Sequence, residues 1–126
     1  IIHKIHHAKI TDKQSVEIWG DGSARREFMY VEDLADAIYF AMESILDIPD
    51  LMNIGVGTDY TIKEYYESVS KVIGWQGEFV FDHSKPTGMA QKLSDTNLQS
   101  KWGWQPKTTL TEGIRLTYKY YLENVF

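Results

Sequence analysis

Two Thr-x-x-Glu tetrads, Thr61-Ile-Lys-Glu64 and Thr109-Leu-Thr-Glu112, constrain this chain more than any other feature. In such a tetrad the threonine oxygen and the glutamate carboxylate each satisfy an orphan amide at a helix start. Apolar residues follow at helical spacing: Ile62, Tyr65, Tyr66, Val69 and Val72 after the first, Leu110, Ile114, Tyr118, Tyr121 and Leu122 after the second. Gly74 stops the first of these helices. Upstream, "IIHKIHHAK" (1–9) sets Ile1, Ile2, Ile5 and Ala8 at the same spacing and reads as the tail of a helix. Asp33 is placed to cap another helix, with Leu34, Ile38, Ala41, Met42 and Ile45 along one stripe. A short helix holds Leu98 and Trp102 and ends at Gly103. Between the helices, "SVEIWG", "REFMYV", "LMNIGV" and "EFVFD" read as strands punctuated by turns, and "HSKPTGMAQKLSD" (83–95) is irregular. The pattern predicts one mixed α/β unit without repeats or linkers.

Composition then removes whole classes of function. With 43% hydrophobic and 25% charged residues the chain is ordinary globular protein. Its net charge of −5 and the absence of a basic block argue against a nucleic-acid or anionic-membrane grip. No apolar run reaches spanning length, and no secretory signal is visible. The chain has no cysteine, which excludes disulfides, thiolate metal sites and cysteine nucleophiles within it and fits a reducing, cytoplasmic setting. It opens on Ile1 inside a helical pattern, so we expect a piece of a longer protein.

Most candidate chemistries fail on inspection. His3 and His7 stand four apart, which could aim two imidazoles at a metal, but no carboxylate occupies a matching turn; with His6 they read as a solvated polar face, and no metal is expected. "GVG" at 55–57 suggests a dinucleotide loop, yet the third glycine of G-x-G-x-x-G would fall on Tyr60. These glycines read instead as a sharp turn out of a strand. None of the eight tyrosines has a lysine four residues later, and there is no Gly-x-Ser-x-Gly elbow. No catalytic residue is predicted in this chain.

Two places remain. In "WGDGSARREF" Trp19 opens a Gly-Asp-Gly turn and Arg25-Arg26 close it. A guanidinium can hold phosphate oxygens through two parallel bonds, with the indole as a flat wall for a sugar or base. Alternatively both arginines pair at the surface with Asp21, Glu27 or Glu32. The second place is "DHSKPTGMAQKLSD", where Lys85, a Pro-Thr-Gly bend and Lys92 form either a ligand loop or an ordinary solvated one.

"VEIWGDGSARREFMYVEDLADAI", "NIGVGTDYTIKE", "SKPTGMAQKLSD" and "WGWQPKTTLTEGIRLTYKYYLEN" occur in that order and span nearly the whole chain. Together they resemble the carboxyl-terminal part of the GDP-L-fucose synthase family, extended short-chain dehydrogenase/reductases that act as 3,5-epimerases and 4-reductases on GDP-4-keto-6-deoxy-mannose. The first two segments are shared by nucleotide-sugar epimerases and dehydratases at large; "SKP-x-G…KL-x-D" points to the GDP-fucose branch. The resemblance implies that residues 1–126 are an α/β substrate-binding lobe with the Rossmann core largely absent. NADP, the Ser and Tyr-x-x-x-Lys reductive site, and the epimerising Cys and His would belong to a missing amino-terminal domain. It implies a GDP-sugar ligand, a homodimeric intact enzyme, and no turnover or cofactor binding by this chain alone. Trp19 would contact substrate and Arg26 the GDP portion. Lys4 stands where the family commonly has arginine, which replaces a bidentate fork with a point charge. Lys92 matches the lysine of "KL-x-D". Thr87 stands where an aspartate is common, and a hydroxyl offers a single hydrogen bond in place of a carboxylate's double acceptance. Gln91 replaces a frequent arginine. Arg25 is expected in solvent. These departures leave open a related GDP-deoxy-sugar such as the one leading to colitose, a UDP- or dTDP-sugar enzyme of the same superfamily, or a free-standing binding module.

Overall fold

In a computed structural model, described here for residues 1–125, the two threonine-opened helices pack against each other over a short parallel strand pair. The chain runs α1 (Ile2–Ile10), β1 (Ser15–Trp19), β2 (Arg25–Arg26), α2 (Val31–Glu43), β3 (Tyr60–Thr61), α3 (Ile62–Ile73), β4 (Glu78–Asp82), β5 (Gln91–Lys92), α4 (Asn97–Trp102) and α5 (Leu110–Asn124). Strands β1 and β4 pair in parallel from Ser15↔Glu78 to Trp19↔Asp82. A two-stranded sheet is marginal alone. Here the inward residues Val16 and Ile18 are sealed by Ile5 and Ala8 of α1, Tyr66, Val69 and Ile73 of α3, Trp75, and Ile114 of α5.

The local signals acted unequally. At α3 the capping box is complete: Glu64 N–H donates to Thr61 Oγ1 at 3.1 Å and Thr61 N–H to Glu64 Oε2 at 2.7 Å. Gly74 closes that helix in the left-handed conformation. At α5 only half the box forms. Thr109 accepts from the Glu112 amide, while the Glu112 carboxylate turns to Arg115 at 2.6 Å.

Several expectations are corrected. Of "REFMYV" only Arg26 is in a strand, the end of β2, and "LMNIGV" forms no strand, its Gly55 and Val56 amides being taken by side chains rather than a ladder. Asp33 does not cap α2; that helix starts at Val31, and Asp33 lies inside it, buried, accepting from the Lys107 and Thr108 amides. The α2 stripe is not core: Ile38 is 56% and Met42 70% exposed, with Leu34, Ile45, Leu46 and Leu51 also exposed around them. The packed face of α2 carries Asp33 and Ala37 instead. Of the α1 histidines, His3 and His7 are exposed as expected, but His6 is not. His6 is buried with Nδ1 2.9 Å from the Tyr118 hydroxyl, and His3 Nδ1 is 2.9 Å from that of Tyr121. Burial, then the charges of His3, Lys9 and His7, lowers the His6 pKa.

Candidate functional site

A three-stranded ribbon in the order β3-β2-β5 sorts the two arginines. Strand β2 pairs in parallel with β5, Arg25↔Gln91 and Arg26↔Lys92, and antiparallel with β3, Arg25↔Thr61 and Arg26↔Tyr60. Register partners share a face and successive residues alternate. Arg25 and Gln91 therefore lie on one side, Arg26 and Lys92 on the other.

On the Arg25 side the charge is answered. Arg25 Nε donates to Asp59 Oδ1 at 2.7 Å and Nη2 to the Asp59 carbonyl at 2.8 Å, while Gln91 Nε2 donates to Asp59 Oδ2 at 2.5 Å. Asp59 is 7% exposed. The Gln91 amide, against the pull of burial and with help from the Arg25 guanidinium, holds its carboxyl below the usual range. Arg25 keeps 41% of its side chain exposed, but it is paired with Asp59 rather than free in solvent, and neither arginine pairs with Asp21, Glu27 or Glu32. Asp59, thirty-four residues from Arg25, supplies a partner that sequence proximity could not nominate.

On the other side the charges stand open. Arg26 Nη1 donates to the carbonyls of Arg25 at 2.6 Å and Met89 at 2.7 Å, which orients the guanidinium without neutralising it. Lys92 is exposed opposite it. The loop between β4 and β5 joins this ribbon to the Trp19 turn. A Cβ on Gly20 would meet the Thr87 methyl at 2.6 Å, and one on Gly88 would stand 3.6 Å from Arg26 Nη2. Thr87 and its neighbour Gly88 thus bridge the two ends of the Gly-Asp-Gly bend. Gly20 and Gly88 both hold left-handed φ of +72°, so the approach depends on glycine at each. Trp19 is 61% exposed, with Lys4 and Lys85 Nζ each 5.8 Å from its ring centroid. Its indole N–H donates to Glu17 at 2.9 Å, and Lys4 also donates to the Glu17 carbonyl at 3.0 Å. Among the described residues none of Lys4, Arg26, Lys85 and Lys92 makes an ion pair. The five residues expected at the ligand are linked by neighbour contacts: Lys4 stands near Trp19, Thr87 against Gly20 beside it, Gly88 near Arg26, and Lys92 is Arg26's register partner.

Two residues that the sequence reading missed hold the frame. Glu27 Oε1 accepts from the Val56 and Gly57 amides and Oε2 from the Ser94 amide at 2.9 Å. Burial pushes its carboxyl up, but the donors of Ser94, Gly57 and Val56 outweigh it and leave the pKa below normal. Gln99, 2% exposed, holds Gly55 from both sides, accepting its amide at 2.8 Å and donating to its carbonyl at 3.0 Å. The amides of 55–57, which a dinucleotide phosphate would need, are therefore occupied, and this glycine segment does not fit a cofactor. An apolar cleft of about 590 Å³ adjoins the ribbon, lined by Phe28, Tyr60, Tyr65, Leu110 and Ile114 among others; Tyr60 is the register partner of Arg26, and the Tyr65 hydroxyl donates to the Arg26 carbonyl at 2.9 Å. None of the five expected contacts lines it, and its walls offer little to a diphosphate.

Comparison with known proteins gives this geometry a family. The model of the NAD dependent epimerase/dehydratase family matches residues 1–55. A GDP-L-colitose synthase of Yersinia pseudotuberculosis is 51% identical over 122 residues, covering 97% of this chain and 40% of its own length. A GDP-L-fucose synthase of Azorhizobium caulinodans is likewise 51% identical over 122 residues, 97% of this chain and 39% of its own. The chain belongs to the GDP-L-fucose synthase family. Its fold is also that of a solved family relative, a GDP-mannoheptose C4 reductase from Campylobacter jejuni with NADP bound, at 36% identity and a TM-score of 0.82 over 96% of this chain and 43% of that one. The chain spans about two fifths of the length of these GDP-L-fucose synthase-type relatives, as an α/β portion of an extended epimerase fold. Among the described residues no helix is long and apolar enough to cross a membrane.

Proposed function

We propose that this chain is the sugar-nucleotide-binding, carboxyl-terminal portion of an NADP-dependent GDP-4-keto-6-deoxy-mannose epimerase-reductase that makes GDP-L-fucose. The observation that carries this reading is the contrast across β2: Asp59 neutralises Arg25, whereas Arg26 and Lys92 face outward together without a counter-charge. Such a pair suits a diphosphate. Arg26 would bind two oxygens through its planar fork, and Lys92 would add a point charge. Trp19 would lie flat against the sugar or base, with Lys4 near its ring and Thr87 offering one hydrogen bond. A GDP-L-colitose synthase is as similar to this chain as a GDP-L-fucose synthase is, which supports a related GDP-deoxy-sugar as the second reading.

In this reading NADP and the reacting side chains belong to an amino-terminal half, and the 126 residues alone turn nothing over. The exposed stripe of α2 supports the same division, since an apolar ridge of that extent calls for cover. The enzyme would work in the cytoplasm as a homodimer on a GDP-sugar.

Titration of the enzyme and its Arg26→Ala variant with GDP, UDP and dTDP tests the reading. GDP should bind best, and the variant should bind it roughly ten to a hundred times more weakly, the worth of one to two charge-assisted bonds. Its melting temperature should hardly move. Unchanged GDP affinity with collapsed melting would make Arg26 structural and end the reading.

A further inference from the structure

Asp59 touches nothing on the ligand side of the ribbon, yet it is the only carboxylate bonded to side chains of both β2 and β5 among the described residues. Backbone pairing between these strands is short. It covers two register positions, extended by the Arg25 amide donating to the Ala90 carbonyl at 2.7 Å. Two-residue strands carry little stability of their own, and β5 is exposed along its length. Beyond its ends, where Arg26 holds the Met89 carbonyl and Glu27 the Ser94 amide, β5 is tied to β2 by a buried carboxylate with one oxygen on Arg25 and the other on Gln91. The residues it holds are the immediate neighbours, on the opposite face, of the two that point outward.

We infer that Asp59 is a positioning residue for the sugar-nucleotide site: by clamping Arg25 to Gln91 it sets the spacing between Arg26 and Lys92. This rests on the reading of Arg26 and Lys92 as the diphosphate grip. The alternation of the strand is what transmits the effect. A shift of β5 along or away from β2 moves Lys92 with Gln91, since one peptide joins them. Loss of the clamp costs the ligand an aligned pair of cations and leaves the reacting atoms of the sugar untouched.

Steady-state kinetics of the full enzyme with its GDP-sugar separates this role from a merely structural one. Asp59→Asn turns an amide N–H₂ toward either Arg25 or Gln91 and loses one arm of the clamp. It should raise KM about tenfold with kcat within about twofold of the parent. Gln91→Glu sets a second carboxylate against Asp59 on the exposed strand without altering Arg25, and it should give the same split even if the Asp59 variant folds poorly. Gln91→Arg keeps a donor aimed at Asp59 and should retain the parent KM. Arg26→Ala, measured alongside, reports on the parent reading: should it leave KM unchanged, the grip itself is wrong and the clamp has nothing to position. With Arg26→Ala raising KM, a parental KM in both Asp59→Asn and Gln91→Glu would overturn the inference, as would a fall in kcat at constant KM.

Discussion

At the scale of single residues, the lesson of this chain is that adjacent arginines can have opposite fates. Both follow the same glycine bend, and nothing in the two letters distinguishes them. The pleat puts Arg25 against a buried carboxylate and Arg26 against backbone carbonyls beside an open rim. Arg25→Ala should therefore behave unlike Arg26→Ala. It strands Asp59 without its cation, and leaving a buried charged acceptor short of partners costs about 1–3 kcal/mol. Chemical denaturation should show that loss at neutral pH; an unfolding midpoint equal to the parent's would mean that Arg25 contributes only a surface pair. Trp19, Arg26 and the lysines could be nominated from the sequence because their chemistry is unusual in an acidic chain. Asp59 could not, since an aspartate before a two-residue strand carries no local sign of a partner thirty-four positions back.

At the scale of elements, local signals held where they were self-contained and failed where tertiary partners outbid them. The Thr61 box needs only its own first turn, and it formed whole. The Thr109 box lost its glutamate to Arg115, which stands at i+3 and offers two charged donors. The segment around Gly55 has strand-like apolar residues, but Gln99 and Glu27 claim its amides, so no ladder forms. Glu27 gives this arrangement a pH signature. Its pKa is depressed in the fold, so its contribution is complete above the unfolded glutamate value of about 4.3 and is lost as pH falls through the lower folded value. Glu27→Gln should thus be less stable than the parent at pH 7, and the gap should narrow as pH falls below about 4.3. A gap independent of pH there would show that the carboxylate's charge is not what ties residues 56, 57 and 94 together.

At the scale of the whole molecule, the fold class was readable from alternating helical and strand periods, but the position of the core was not. The apolar stripe of α2 matches a core helix in pattern, while the structure turns Asp33 and Ala37 inward and leaves the stripe bare. A periodicity states that a face is to be covered, not by what. The candidate site is an open, charged ribbon face rather than an enclosed pocket, and the apolar cleft begins beside it at Tyr60 and Tyr65, without Arg26 or Lys92 in its lining. Which of those two surfaces receives the ligand is the central question. A crystal structure of the enzyme with GDP answers it most directly. We predict diphosphate oxygens within hydrogen-bond distance of Arg26 and Lys92, with the Trp19 ring against the sugar or base; a diphosphate seated in the cleft beside Tyr65 and Ile114, away from both cations, would contradict the account.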